Sequence, residues 1–149
     1  MLLSYAGTPT IRVPVATVWT RLLDPVFVNR SAPGFQRVEV RSAGDYTVLC
    51  EVQAGFFTVP FRLDILVDDV VEHERCRIRA TGTAKDFAMT MESAVRLSPL
   101  DDATTSLGWQ ATITMADLPP FARPLVETAG RLLTEKFWED FATRVEAAR

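Results

Sequence analysis

A chain of 149 residues is about one domain long and can bury a core without metals or disulfides to support it. Its composition, 48% hydrophobic and 23% charged with a formal charge of -3, excludes a disordered, coiled-coil or fibrous chain. It also offers no clustered basic face for a polyanion, so nucleic acid is not an expected partner. The first residues, Met1 to Tyr5, lack the basic and long apolar regions of a signal peptide, and no uninterrupted apolar run nears the ~20 residues that cross a bilayer. The expectation is a single soluble, cytoplasmic domain over 1–149.

In chain order, a strand-like segment from Ser4 to Val13 comes first. Val15, Val18, Trp19 and Leu22 then share one helical stripe behind Pro14, which predicts a short helix. A second short helix is predicted from Pro25, with Asp24 as its cap and Ala32-Pro33-Gly34 as its break. From Phe35 to Met115 the apolar period becomes two, interrupted near Ser42–Asp45, Ala54-Gly55, Val71–Glu74, Gly82–Ala84 and Pro99–Asp102. This predicts a six-strand antiparallel meander with one wet face. Arg75, Arg77 and Arg79 share its outer side, and Pro60 marks an edge or bulged position. From about Pro119 onward Phe121, Leu125, Ala129, Leu132, Leu133, Phe137, Phe141 and Val145 recur at helical spacing. That predicts a terminal helix about 40 Å long, placed to cover the concave side of the sheet. The class is α+β, a curved antiparallel sheet wrapped around a long C-terminal helix, with two short helices after strand one.

Catalysis calls for converging acids, bases or nucleophiles at buried positions, and the pattern supplies almost none. His73, the only histidine, lies in the charged turn Glu72-His73-Glu74, where a solvated ring is expected, and one such ring supports neither a triad nor a metal site. The carboxylates fall in turns or at outward strand positions, and no glycine-rich phosphate loop is present. Cys50 and Cys76 lie inside alternating segments without motif spacing and read as reduced core thiols. No catalytic residue, metal site or cofactor is therefore expected. Tyr46 and Ser93 are the polar side chains at inward parity.

The remaining inward positions are bulky and apolar. Phe57, Phe61, Ile78, Met89, Met91, Trp109 and Ile113 on the strands, with Phe121, Leu125 and Ala129 on the helix, are the expected lining of an apolar ligand cavity. Trp109 should form a floor that Phe121 and Leu125 close from the other side. Gly130, costly in mid-helix, points to space left there for a ligand.

Asp24-Pro25 followed by Ala32-Pro33-Gly34, then Val52-Gln53-Ala54-Gly55-Phe56 leading into an alternating strand, and Ile78-Arg79-Ala80-Thr81-Gly82 together resemble the CoxG family of carbon monoxide dehydrogenase. That family lies within the START-like, or SRPBCC, superfamily, and the resemblance spans nearly the whole chain. Ser31 and Phe35 stand where many members carry a cysteine beside the Pro-Gly, and Met89 replaces a glycine. The resemblance implies a helix-grip fold holding a quinone- or lipid-like molecule, with a non-enzymatic role beside a molybdenum CO dehydrogenase complex. It also implies peripheral membrane contact, here by a route other than a C-terminal tail. Two rival readings remain: a polyketide cyclase/aromatase-like enzyme of the same superfamily, and an assembly or interaction protein with a closed core.

Overall fold

Asp24 caps as its place before Pro25 predicts: its Oδ1 accepts from the Val26 N–H at 3.1 Å and the Phe27 N–H at 3.2 Å. The computed structural model describes the backbone of residues 1–148 except Gly55 and Asp86. Within that span it describes all other side chains except those of Val52, Ala54 and Phe57. The elements are β1 (Leu2–Gly7), β2 (Thr10–Ile11), α1 (Val15–Leu22), α2 (Pro25–Asn29), β3 (Phe35–Ser42), β4 (Asp45–Ala54), β5 (Phe57–Val71), β6 (Arg75–Ala84), β7 (Phe87–Asp101), β8 (Thr104–Met115) and α3 (Arg123–Ala147).

All strand pairings are antiparallel, in the order β1-β8-β7-β6-β5-β4-β3, with β2 also on β8. The predicted meander is β3 to β8, while the single opening strand is two strands, since the chain breaks between Gly7 and Thr10. The turn expected at Gly82–Ala84 falls later, because β6 stays paired with β7 as far as Ala84 opposite Phe87. Pro60 lies beyond Arg62–Thr83, the last pair between β5 and β6. Glu51, its partner on β4, donates its N–H to Gly34 instead. The missing proline N–H therefore faces a side with no strand to receive it, a local edge inside a long strand.

Alternation sends Tyr46, Val48, Cys50, Ile65, Ala80, Val95, Leu107 and Trp109 to the concave side, where they are buried. One end of this side is densely packed. There α1 and α2 deliver Val18, Trp19, Leu22 and Val28 to the same cluster as Ile11, Val13, Leu97 and Leu107. The second half of α3 lies on it through Trp138, Phe141, Ala142 and Val145. Trp138 stacks on Trp109 with centroids 6.4 Å apart, and Phe141 meets Trp138 and Phe27 edge-on at 5.8 and 6.0 Å. Outside this contact Asp140 accepts from the Ser31 hydroxyl at 2.8 Å and from Arg144 Nε at 3.1 Å. The Arg144 guanidinium also sits 4.6 Å from the Phe27 ring centre.

The first half of α3 differs from the continuous lid that its spacing predicts. Glu127, Gly130 and Thr134 continue the buried side set by Trp138 and Phe141. Leu125 and Leu132 lie roughly 120–140° round the helix from Trp138 at 100° per residue. They are 72% and 61% exposed. Apolar residues thus occupy two different faces in the two halves, and only the second half is buried by them. Among the described residues no helix is long and apolar enough to cross a membrane.

Truncating Phe141, fully buried at the centre of this contact, to alanine should cost about 3–5 kcal/mol. Leu125→Ala and Leu132→Ala should each stay within about 0.5 kcal/mol of the parent. Urea unfolding of the three variants checks this, and comparable losses at all three sites would mean that the whole length of α3 is packed.

Candidate ligand-binding cleft

Cross-strand register assembles the cleft floor. Leu63 on β5 faces Gly82 on β6, which faces Met89 on β7. One row deeper, Ile65, Ala80 and Met91 line up, and beyond them Val67, Ile78 and Ser93. Gly82 makes room for the first row: a Cβ there would lie 2.7 Å from Phe61 Cζ, 3.1 Å from Met89 Cγ and 3.3 Å from Leu63 Cδ2. Three large side chains converge over one absent side chain.

The concave face holds two packed clusters, one under the second half of α3 and one built on Tyr46, Val48, Cys50, Ile65 and Ala80. Val67, Ile78 and Met91 touch both and are only half-buried, as are Phe61, Leu63 and Met89. On the helix Val126 and Phe137 are half-buried against the first cluster, with Leu133 on the same flank 52% exposed. The sheet is therefore closed at one end and open over its middle. The total accessible surface, 8820 Å², exceeds the roughly 7,600 Å² expected for a protein of this mass. Two depressions, of about 270 and 440 Å³, belong instead to the outer side, flanked by outward residues such as Arg37 and Arg62, and Arg77 and Arg96.

Polar groups at inward strand positions are few. Tyr46 is buried, and its oxygen accepts from Asn29 Nδ2 at 3.2 Å while the same amide donates to the Pro25 carbonyl at 2.7 Å. Burial raises the Tyr46 pKa above its ordinary value against the pull of that donated bond. Ser93 is buried between Ile78 and Ala111 in the register. Among the described residues no group of three or more histidine, cysteine, aspartate or glutamate side chains could hold a metal.

A family model described as the CoxG subunit of carbon monoxide dehydrogenase matches residues 7–146. The chain belongs to the CoxG family. Its fold is shared with a conserved protein from Geobacillus kaustophilus at 16% identity and a TM-score of 0.85, covering 98% of this chain and 97% of that one. It is shared with a START superfamily protein from Mycobacterium smegmatis at 14% identity and a TM-score of 0.75, covering 98% and 99%. The Zhui aromatase/cyclase from Streptomyces sp. R1128 is similar at 18% identity and a TM-score of 0.61, covering 99% and 91%. No curated protein matches the sequence. The fold is the START-like helix grip, a fold of the hydrophobic-ligand-binding type.

In this CoxG-family chain Phe61, Ile78, Met89 and Met91 come together on the open floor, as expected from parity. The Phe57 side chain lies outside the described residues. Trp109 and Ile113 point inward and both are buried; Trp109 is stacked on Trp138 rather than bordering open space, while Ile113 lies directly opposite Met91 of the floor. Phe121 is 80% exposed, and Leu125 and Ala129 also face outward, so they do not close the far side. Gly130 leaves room for Tyr5, not for a ligand: a Cβ there would lie 2.6 Å from Tyr5 Oη, which donates to the Glu127 carbonyl at 2.8 Å. Leu63, Val67, Val126 and Phe137 complete the cleft. The first two share the parity of Phe61, and the spacing from Val126 to Leu133 to Phe137 marks a helical flank of its own.

Both cysteines are buried thiols. Burial first, then the charges of Asp68 and Asp69, push the Cys76 thiol from 9.0 up to about 11. Between those values the folded chain keeps a proton that the unfolded chain has released, so this group makes stability fall as pH rises through the window. Cys76→Ala should therefore lose less stability than the parent between about pH 8 and about pH 10.5 in urea unfolding. Parallel losses in the two proteins would show that this thiol does not titrate as described.

Proposed function

We propose that this protein binds a hydrophobic small molecule, quinone- or lipid-like, in the cleft between the sheet and α3 and carries it without transforming it. The observation that carries this reading is the half-buried floor of Phe61, Leu63, Val67, Ile78, Met89 and Met91. An apolar surface left half-buried between two packed clusters gains free energy when an apolar molecule removes it from water. Among the described residues no charged side chain stands at the inward positions of β4 or of β6 to β8. Tyr46, whose pKa is raised, holds its proton tightly, which suits a hydrogen-bonding handle better than a base.

A role as an accessory protein of a molybdenum CO dehydrogenase is supported by the family description. Peripheral membrane contact belongs to the same proposal. The β4–β5 and β6–β7 turns and the segment after β8 lie at one end of the sheet, and Phe56, Phe87 and Phe121 are exposed there.

The test is saturable binding of the fluorescent apolar probe 1-naphthylphenylamine, joined to native mass spectrometry of protein purified from its own host. Met91→Lys, which forces a charge into the floor, should weaken probe binding by at least about tenfold. Leu132→Lys, on the exposed face of α3, should leave it unchanged. Equal effects of the two substitutions would sink the cleft. A co-purified molecule recovered at unchanged mass supports a carrier, and one converted to a cyclised or dehydrated product would make the chain an enzyme like the cyclase whose fold it shares.

A further inference from the structure

On the outer face of the sheet two arginines stand directly opposite each other. Arg75 on β6 pairs with Arg96 on β7. The neighbouring Leu97 N–H donates to the Glu74 carbonyl at 2.8 Å. Arg75 and Arg96 are therefore a non-hydrogen-bonded pair, the type whose side chains come closest. Like charges in such a pair oppose folding. The usual remedy, a carboxylate bonded to each guanidinium, is met elsewhere on the same sheet: Arg62 bonds Asp64 through both Nε and Nη2, and Arg77 bonds Asp68 at 3.0 Å. It is not met here. The closest carboxylate oxygens are Asp69 Oδ2, 3.5 Å from Arg75 Nε, and Glu74 Oε1, 4.0 Å from Arg96 Nη1. Arg75 Nε is buried without a hydrogen bond.

The two guanidinium groups border a groove of about 440 Å³ whose outward positions on β1, β7 and β8 are Ala6, Ala94, Gly108 and Gln110, with Gln110 between the two alanines in the register and Arg77 on the flank. Gly108 and Ala94 leave the space beside Arg96 and Arg75 low, the neutral Gln110 borders it, and Asp69 is the one acid in the lining. Such a surface fits an anion with several oxygens, which planar guanidinium groups bind in pairs of charged hydrogen bonds.

We propose that the outer-face groove is an oxyanion site in which Arg75 and Arg96 hold a phosphate group over Ala94 and Gly108, beside the Gln110 carboxamide. The anion bonds N–H groups on the accessible parts of the two side chains, which are 39% and 63% exposed, and screens the two charges from each other. The site lies on the opposite side of the sheet from the apolar cleft and does not depend on it.

The test follows the side-chain Nε–Hε signals of nitrogen-15-labelled protein while inorganic phosphate is added at constant ionic strength against sodium chloride. The signals of Arg75 and Arg96 should shift and saturate, with those of Arg37 and Arg123 unmoved. Arg75→Gln should weaken binding by about tenfold or more. In phosphate-free buffer Arg96→Gln should melt no lower than the parent, because it removes a repulsion. Vesicles of phosphatidylcholine with and without phosphatidylglycerol separate a lipid headgroup from a free phosphate, and saturation by either source supports the site. No saturable shift from either source, equal shifts at all arginines, or a lower melting temperature for Arg96→Gln would overturn it.

Discussion

How α3 is held decides what the concave face can do. Its second half is fixed by ring contacts, Trp138 on Trp109 and Phe141 between Trp138 and Phe27, and by the Ser31, Asp140 and Arg144 group outside them. Large rings in such a contact bury much apolar area and fix their mutual orientation. Its first half is positioned by something smaller, the Tyr5 hydroxyl bonded to the Glu127 carbonyl with the ring lying against Gly130. A glycine and one hydrogen bond hold that half near the sheet edge without filling the space beside it. The floor of β5, β6 and β7 is left without a cover of its own.

Local stability should follow the same division. The cluster under Trp138 combines buried side chains from two short helices, five strands and α3, whereas the floor side chains keep part of their surface in water. Elements with few buried apolar contacts open at low free energy, and ligand-binding regions are drawn from that class. The rigid end and the loose end belong to one sheet, so a molecule entering the cleft meets a preformed floor and a helix flank, Val126 to Phe137, that can settle onto it. Methionines 89 and 91 suit such a floor because their unbranched chains adapt to irregular apolar shapes.

The strands were legible from the sequence because a period of two leaves little choice: once Phe61 and Leu63 face inward, Arg62 and Asp64 must face out. Asp24 was legible as a cap for a similarly local reason. The helix was harder to place. Its apolar residues satisfy helical spacing in each half, but the two halves use different faces, and a pattern read along the whole segment merges them into one stripe. What breaks the stripe is Tyr5, a residue of the first strand that claims the side of Gly130, and nothing local to the helix announces it. Trp109 was placed on the correct side of the sheet for the same reason that the strands were. Its burial under Trp138 is a contact between distant segments, which parity cannot rank against open space.

Parity also explains how the sheet can tolerate two close arginines on its outer side. A shift of one residue between β6 and β7 would separate Arg75 from Arg96, but it would also turn the inward residues of the shifted strand, Cys76 and Ala80 or Ser93, Val95 and Leu97, out of the concave face. Each large apolar side chain moved into water costs about 1.5–3 kcal/mol, whereas a cross-strand pair is worth roughly 0.2–1 kcal/mol. The inner face therefore sets the register, and the outer face inherits whatever neighbours result. Asp69 and Glu74, 3.5 and 4.0 Å from the two guanidinium groups, offset part of the repulsion, and a counter-charge laid across both groups would offset more of it. The floor of the groove, Ala6, Ala94, Gly108 and the neutral Gln110, carries no such charge.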